Sequence, residues 1–346
     1  MAATLTGQLN LLTRTAWVES NDNLMRQQSQ LSRLLIQRAR RDKKTGGQIE
    51  FGLRTARPPV KRLTHPLDTY AQAGAQTHTR CTLDWAQYET TLQITGFEMR
   101  SQHGINIQQL LSRTNLQEMP VDEREVLMDV LGGQITGGQE HLGEYLGTDL
   151  YESRGTAGGV IGLPAIIDDH TSDYAGLAYN DSVFETDQVS SLTYWQPYVD
   201  SNSGTKRDIS LERLGKGLNR VTRGGEMPES IVAVMNMDMY SEIEVQTQQS
   251  RDYRDSKLAS IGYKAIEWRH CTIMPDERAP ANCIYLLNLN NLYLQIRPSA
   301  DIDNWTGWAA AANQDAAAGA FLLECQLVCN DRHRQGKIDD LNSVAD

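Results

Sequence analysis

The first 47 residues place the strongest constraint on this chain of 346 residues, because they cannot form a core of their own. They are polar and rich in Gln, Asn and Arg, and their only apolar stripe at helical spacing is Leu24, Leu31, Leu34 and Leu35. A single helix with so little apolar surface is not stable alone in water. The sequence therefore predicts an extended arm with a short helix that lies against another surface.

The arm is basic, whereas the rest of the chain is acidic. Residues 1–62 carry a net charge of +8 and residues 63–346 carry −19, which gives −11 overall. An acidic body repels phosphate groups, so this balance disfavours nucleic-acid binding along the whole chain. The body could instead attract the basic arm of another copy. The asymmetry therefore indicates self-association.

The basic run at the end of the arm consists of Arg38, Arg40, Arg41, Lys43 and Lys44. Three interpretations are open: contact with nucleic acid, pairing with an acidic patch on another subunit or assembly partner, and a simple role in solubility. The charge of the body favours the second. We expect these five residues to lie at a subunit interface.

From Gln48 the apolar residues recur with a period of two, which is typical of a strand. Ile49, Phe51 and Leu53 begin this pattern, and a second strand is predicted from about Thr79 to Thr95. No helix is predicted between them. Two strands with so long a connection predict a protruding β-hairpin over 48–98, without a core and in need of a partner surface. We expect that surface to be another subunit, reached through Phe51, Arg54 and Lys61. Lys61 could in principle join a covalent cross-link to a neighbour, but nothing in the sequence marks a partner residue, so no cross-linking activity is predicted.

A long helix, possibly kinked, is predicted over 122–153, because Pro120 precedes an acidic first turn and apolar residues follow at helical spacing. Its apolar side includes Leu142, Tyr145, Leu146 and Leu150. Six glycines interrupt the pattern, so the helix needs tertiary support.

The second half of the chain predicts further helices and strands. A helix begins after the N-cap Ser210, Ile231–Met235 is a short buried strand, and a helix follows over Met237–Val245. The C-terminal third is mostly strand, with one strand through Ile266, Trp268 and Thr272, another over 292–296, and a last strand that ends at Cys329. From Asp331 onward we predict a polar tail.

Two motifs could carry chemistry but have simpler interpretations. Gly155–Gly162 is glycine-rich like a phosphate-binding loop, yet it follows a helix and lacks the terminal Lys-Ser/Thr, which favours a tight turn. Cys325, Cys329 and His333 could ligate zinc, but both thiols fall on the apolar face of a strand. The odd number of cysteines, five, and the absence of an export signal predict reduced thiols.

The densest acidic and imidazole cluster is Asp168, Asp169, His170 and Asp173. It could hold a divalent cation or perform acid–base chemistry, and it supports the alternative of a cytoplasmic metal-dependent enzyme or binding protein that uses the 168–173 loop. No nucleophile with suitable spacing accompanies it, so a solvated loop is favoured. We predict no catalytic residue, metal or cofactor.

The order of these parts and four stretches resemble the major capsid proteins of tailed bacteriophages, which have the Hong Kong 97-type fold. The four stretches are Asp149–Tyr151 running into Gly155–Leu163, Pro228–Asn236, Arg269–Ile296, and Phe321–Val328 with the residues after it. The resemblance implies an α+β fold with an N-arm, an extended β-hairpin called the E-loop, a peripheral domain with a long spine helix, and an axial domain. The implied boundaries are 1–47 for the arm, 48–98 for the E-loop, 99–159 for the peripheral domain with its spine helix, 160–262 for the axial domain, 263–330 for returning strands, and 331–346 for a C-terminal tail.

The resemblance also implies a function. We expect pentamers and hexamers of an icosahedral shell that encloses double-stranded DNA without binding it specifically. The implied partners are other copies of the chain, a separate scaffolding protein, a portal protein and, in some relatives, a decoration protein. The expected location is the virion, and the host cytoplasm during assembly. We expect no membrane association, because the longest stretch without charged or amide side chains, Gly158–Ile167, is half of what a spanning helix needs.

Overall fold

The computed structural model describes Thr13 and residues 29–41, 46–54, 78–97, 121–152, 158–167, 173–178, 195–222, 228–248, 266–301, 304–310 and 315–342. Its helices are α1 (Gln30–Gln37), α2 (Val121–Glu152), α3 (Leu163–Ile166), α4 (Leu211–Val221) and α5 (Met237–Gln248). Its strands are β1 (Ile49–Arg54), β2 (His78–Leu83), β3 (Ala86–Thr95), β4 (Tyr198–Asp200), β5 (Ile231–Met235), β6 (Ile266–Trp268), β7 (Cys271–Pro275), β8 (Ile284–Asn288), β9 (Leu292–Ile296), β10 (Ala309–Ala310), β11 (Ala316–Cys329) and β12 (Gly336–Ile338). The α+β class is confirmed.

The described strands form three sheets. β1 and β2 make a two-stranded antiparallel ribbon. A four-stranded sheet has the order β10-β11-β3, with β9 also paired to β11. A six-stranded mixed sheet has the order β4-β12-β8-β5-β7-β6. Two apolar clusters accompany them: one joins the ribbon and the four-stranded sheet to α1 and α2, and the other lies between the six-stranded sheet and the helices α4 and α5.

The long helix predicted over 122–153 is confirmed as α2, a continuous helix of 32 residues. Its tertiary support comes from one buried stripe that packs into the first cluster: Leu131, Ile135, Leu142, Leu146 and Leu150. Its glycines fall partly on the solvent side, where Gly132 and Gly133 are exposed. Burial of this stripe therefore offsets the low helix propensity of the glycines.

The helix and strand predicted around residues 210 and 231 are also confirmed. Ser210 is the N-cap of α4, and its hydroxyl accepts a hydrogen bond from the Arg213 N–H at 3.4 Å. β5 covers Ile231–Met235 and all five residues are buried. α4 packs closely on the sheet because Gly217 has no side chain: a Cβ there would lie 2.7 Å from Leu286 Cδ1.

The strand predicted from Thr79 to Thr95 is in fact two strands, β2 and β3, separated at Asp84 and Trp85. At this break, side-chain hydrogen bonds take the place of main-chain hydrogen bonds between strands. Gln326 Nε2 donates to the Asp84 carbonyl at 2.8 Å, and Gln48 Nε2 donates to its carboxylate at 2.7 Å. β2 then pairs with β1, whereas β3 pairs with β11 along ten residues. The second half of the predicted hairpin thus belongs to the four-stranded sheet.

The single strand predicted through Ile266 and Thr272 was also wrong, because the chain reverses there. Arg269 and His270 have φ angles of 52° and 62°, and β6 and β7 pair antiparallel on either side of them. Two consecutive residues with positive φ are typical of the tight turn that joins two strands of a hairpin. The apolar alternation does not reveal this turn, since neither residue is the usual Asn or Gly.

The polar tail predicted from Asp331 is wrong for the described part, residues 331–342. β12 lies inside the six-stranded sheet, parallel to β4 and antiparallel to β8. Ile338 and Leu341 are buried in the second cluster. Gly336 allows the approach, since a Cβ there would lie 2.9 Å from Val221 Cγ2. Two apolar residues among ten polar or small ones are too weak a pattern to predict a central strand.

Candidate subunit-contact surfaces

The arm helix α1 is fixed to its own chain through one buried carboxylate, Asp276. Its Oδ2 accepts hydrogen bonds from the Ser29 hydroxyl at 2.9 Å and the Leu31 N–H at 2.8 Å, and its Oδ1 accepts one from the Arg278 N–H at 3.0 Å. Burial raises the pKa of Asp276, although these hydrogen bonds oppose the shift. Together with the buried Leu31 and Leu35, this contact makes α1 part of the core.

Arg40 and Arg41, two of the predicted interface residues, contact their own chain. Arg40 donates its N–H to the Leu294 carbonyl at 2.9 Å, and its guanidinium lies 3.6 Å from the centre of the Tyr293 ring. Arg41 Nε lies 2.6 Å from Asp301 Oδ2. Arg40 therefore has an aromatic partner within its own chain, and Arg41 has an acidic one. Contact with a second subunit stays a prediction for both.

The other members of the basic run differ in position. Arg38 is the exposed C-cap residue of α1, and its N–H donates to the Leu34 carbonyl at 3.2 Å. Lys43 and Lys44 lie outside the described residues.

The β1–β2 ribbon has one buried and one exposed face, and its buried face packs against the first cluster of its own chain. Leu53 and Cys81 are buried in the first cluster, and Phe51 is half-buried against it. Arg54 is exposed on the opposite face. The fifth residue predicted from this region, Lys61, lies outside the described residues.

A groove of about 700 Å³, which the sequence did not predict, lies between β3 and α2. One wall is β3 from Gln87 to Gln93, and the other is a single face of α2 that includes Gly137 and Tyr145. Tyr145 was predicted to lie on the apolar side of the helix, but it is 65% exposed. Its helical spacing is compatible with the buried stripe. Only the tertiary structure shows that Tyr145 lies beside that stripe, on the face of α2 that lines the groove.

The cysteines behave as buried apolar groups in the described part of the chain. All five are free and buried. Burial raises the pKa of Cys81 to about 11 and that of Cys271, Cys283 and Cys329 to about 12. Thiols with raised pKa values are poor nucleophiles and poor metal ligands at neutral pH.

Most of the 168–173 loop, the alternative metal site, lies outside the described residues. Asp168, Asp169 and His170 lie outside the described residues, and Asp173 is exposed. Among the residues that the structure does describe, no three His, Cys, Asp or Glu side chains come together. None of the described helices is long and apolar enough to cross a membrane.

Comparison with solved structures identifies the architecture. A chain of the cyanophage A-1(L) capsid asymmetric unit matches with a TM-score of 0.64 and 19% identity, over 89% of this chain and 91% of that one. A capsid chain of the native GTA particle matches with a TM-score of 0.52 and 8% identity, over 89% and 90%. A chain of the empty GTA capsid matches with a TM-score of 0.50 and 9% identity, over 88% and 95%.

The likeness lies in the structure and not in detectable sequence similarity. No family model and no curated protein matches the sequence. The structural match nevertheless spans about nine tenths of the chain. This chain therefore has the fold of a phage capsid protein.

Proposed function

We propose that this chain is the major capsid protein of a tailed bacteriophage and assembles into pentamers and hexamers of an icosahedral shell around double-stranded DNA. The observation that carries the proposal is the match to the cyanophage A-1(L) capsid over 89% of the chain. A fold alone does not determine function. The buried thiols and the absence of a metal-ligand group among the described residues also favour packing over chemistry.

The described elements suggest how the regions of a Hong Kong 97-type subunit map onto this chain. In this proposal β1 and β2 belong to the E-loop, and α2 is the spine helix of the peripheral domain. The four-stranded sheet completes the peripheral domain, and the six-stranded sheet with α4 and α5 forms the axial domain. β12 then belongs to the axial domain, so the described residues 331–342 are not a separate tail.

The proposed shell forms through contacts between identical copies. Obligate interfaces of this kind commonly bury more than about 2,000 Å². The basic arm and the acidic body supply complementary charge between copies, and the acidic body also keeps packed DNA from adhering to the inner wall. A separate scaffolding protein, a portal protein and a possible decoration protein complete the proposed set of partners. The chain assembles in the host cytoplasm and resides in the virion.

Sedimentation and negative-stain electron microscopy of the purified chain, alone and with its candidate scaffolding protein, test the proposal. We expect capsomers or closed shells, and no saturable binding of Mg²⁺ or Zn²⁺ by titration calorimetry. A chain that stays monomeric at high concentration under both conditions, or that binds a metal and turns over a substrate, contradicts the proposal.

A further inference from the structure

β3 is an edge strand whose outer side has main-chain groups that no described strand pairs. On its inner side it pairs with β11. Glu324 of β11 directs its carbonyl to the Arg297 N–H at 2.9 Å, away from β3, so the Glu324–Gln87 pair is not hydrogen-bonded. The Gln87 N–H accordingly donates to the Gly158 carbonyl at 3.3 Å.

The direction of Gln87 fixes the direction of its alternate neighbours. In a strand, residues two apart direct their N–H and C=O groups to the same edge. Glu89, Thr91 and Gln93 therefore also face outward. The Gln93 carbonyl accepts a hydrogen bond from the Gln134 side chain of α2, which confirms its direction. Within the described part of the chain, no hydrogen bond pairs the main-chain groups of Glu89 and Thr91.

These groups open into the groove between β3 and α2. The helix wall of the groove is one face, with residues spaced by three and four positions: Gln134, Gly137, Gly138, His141, Leu142 and Tyr145. A Cβ at Gly137 would meet no atom within 4 Å. The glycines therefore leave space beside the open edge, and Tyr145 offers an exposed aromatic ring at one end.

A long open edge of this kind needs a cover. Native proteins protect exposed edges with short strands, Lys, Pro or bulges, since an open edge pairs readily with other chains. β3 has ten residues and none of them is Lys or Pro. Because a shell-forming chain always meets identical copies, we propose that residues 4–11 of a second copy add to the outer edge of β3 as an antiparallel or parallel strand. This inference rests on the proposed function.

The sequence of residues 4–11 suits this position. Thr-Leu-Thr-Gly-Gln-Leu-Asn-Leu alternates polar residues with Leu or Gly, and it contains no charge and no Pro. Such alternation is typical of a strand with one buried face. An extended segment of eight residues is long enough to lie along the whole groove wall of seven residues from Gln87 to Gln93. The segment is uncharged, so it does not oppose the exposed Glu89. Residues 55–77 are a poorer donor, because Pro58, Pro59 and Pro66 lack the N–H groups that an added strand must supply.

Disulfide trapping between separate chains tests the occupant. Chains that carry Thr6→Cys or Gln8→Cys are mixed with chains that carry Glu89→Cys or Thr91→Cys, assembled, and oxidised mildly. The five native cysteines are buried, so they do not compete. We expect a covalent dimer on a non-reducing gel for at least one pair, at a level at least tenfold above that given by Ser201→Cys, an exposed position directly after β4 of the six-stranded sheet.

The outcomes separate this inference from the proposed function. If shells form but no pair exceeds the Ser201→Cys level, the inference is wrong while the function stands. Thr69→Cys tests residues 55–77 as the alternative occupant, and a cross-link from β3 to this position instead also overturns the inference. So does a cross-link that forms only within one chain when both substitutions are placed in the same chain. A wild-type chain that forms no assembly overturns both.

A second test fills the groove without touching β3. Gly137→Gln places a side chain in the groove, whereas Gly133→Gln, one turn earlier on the same helix, places it outside. Neither position has an atom within 4 Å of a built Cβ, and both substitutions replace a helical glycine with a better helix former. We expect shell yield to fall at least fivefold for Gly137→Gln and to stay within twofold of wild type for Gly133→Gln. Equal yields from the two variants would contradict the proposed strand addition.

Discussion

The two larger sheets end in different ways. The six-stranded sheet ends at β4 and β6, each of three residues, and its central strands are buried on both faces. The four-stranded sheet ends at β3, which has ten residues and an outer edge open to the groove. Short edges limit pairing with other chains, whereas a long edge invites it. One sheet is therefore completed within the chain, and the other is the better candidate for contact with a second chain.

The strongest test of this comparison is a pair of substitutions, one in each sheet. Leu286→Ala in β8 removes a fully buried side chain, and we expect it to lower the free energy of unfolding by about 2–5 kcal/mol. Thr91→Ala on the exposed side of β3 should lower it by about 1 kcal/mol or less. Urea denaturation of the unassembled protein measures both. Similar losses at the two positions would mean that the sheets do not differ as described.

Asp276 tests the connection between the two regions, because it follows β7 of one sheet and holds α1 against the other region. Burial raises its pKa above the ordinary 3.8, so the folded state binds this proton more tightly than the unfolded state. The resulting stabilisation is complete below the unfolded pKa and is lost as the pH rises through the folded pKa. Asn does not titrate. We therefore expect the unfolding free energy of wild type, relative to Asp276→Asn, to decrease from pH 4 to pH 7.

Urea titrations at several pH values measure this difference. Thr91→Ala serves as the control, since it removes no titratable group and its difference from wild type should not change with pH. A difference that stays constant, or that increases with pH, would show that Asp276 is not buried in the way the structure indicates.

The smallest expected effect concerns the basic run. Arg41→Gln breaks the ion pair with Asp301, in which the Arg41 side chain is 42% exposed. Because exposed ion pairs contribute little, the loss should be about 0–1 kcal/mol and should shrink in high salt. Arg38→Gln is the matched control, with a smaller loss. If Arg41→Gln abolished assembly while leaving stability unchanged, the predicted contact of Arg41 with another subunit would gain direct support.

The sequence predicted the elements whose signals are local. α4 has its own N-cap, and α2, α4 and β5 have apolar patterns of their own, so the positions predicted for them are confirmed. The order of these elements, together with the four stretches of sequence named above, carried the resemblance that implied the capsid fold. The central position of β12 was missed, because it depends on distant partners in β4 and β8 and on the absence of a side chain at Gly336.

The contact surfaces were harder to predict for the same reason. The basic run was recognised by its charge, but the proximity of Arg41 to Asp301 joins residues 260 positions apart. The groove was missed altogether, since nothing in the alternation of β3 shows which of its edges is paired. Tyr145 likewise fits the helical stripe, and only tertiary structure places it in solvent.

The position of β12 also affects how the chain is made. β4, at residues 198–200, joins the six-stranded sheet only through β12, at residues 336–338. The sheet thus stays incomplete on the ribosome until residue 338 has left the exit tunnel. A nascent chain therefore cannot complete this sheet, although residues 198–200 of β4 are made well over a hundred residues before their partner strand.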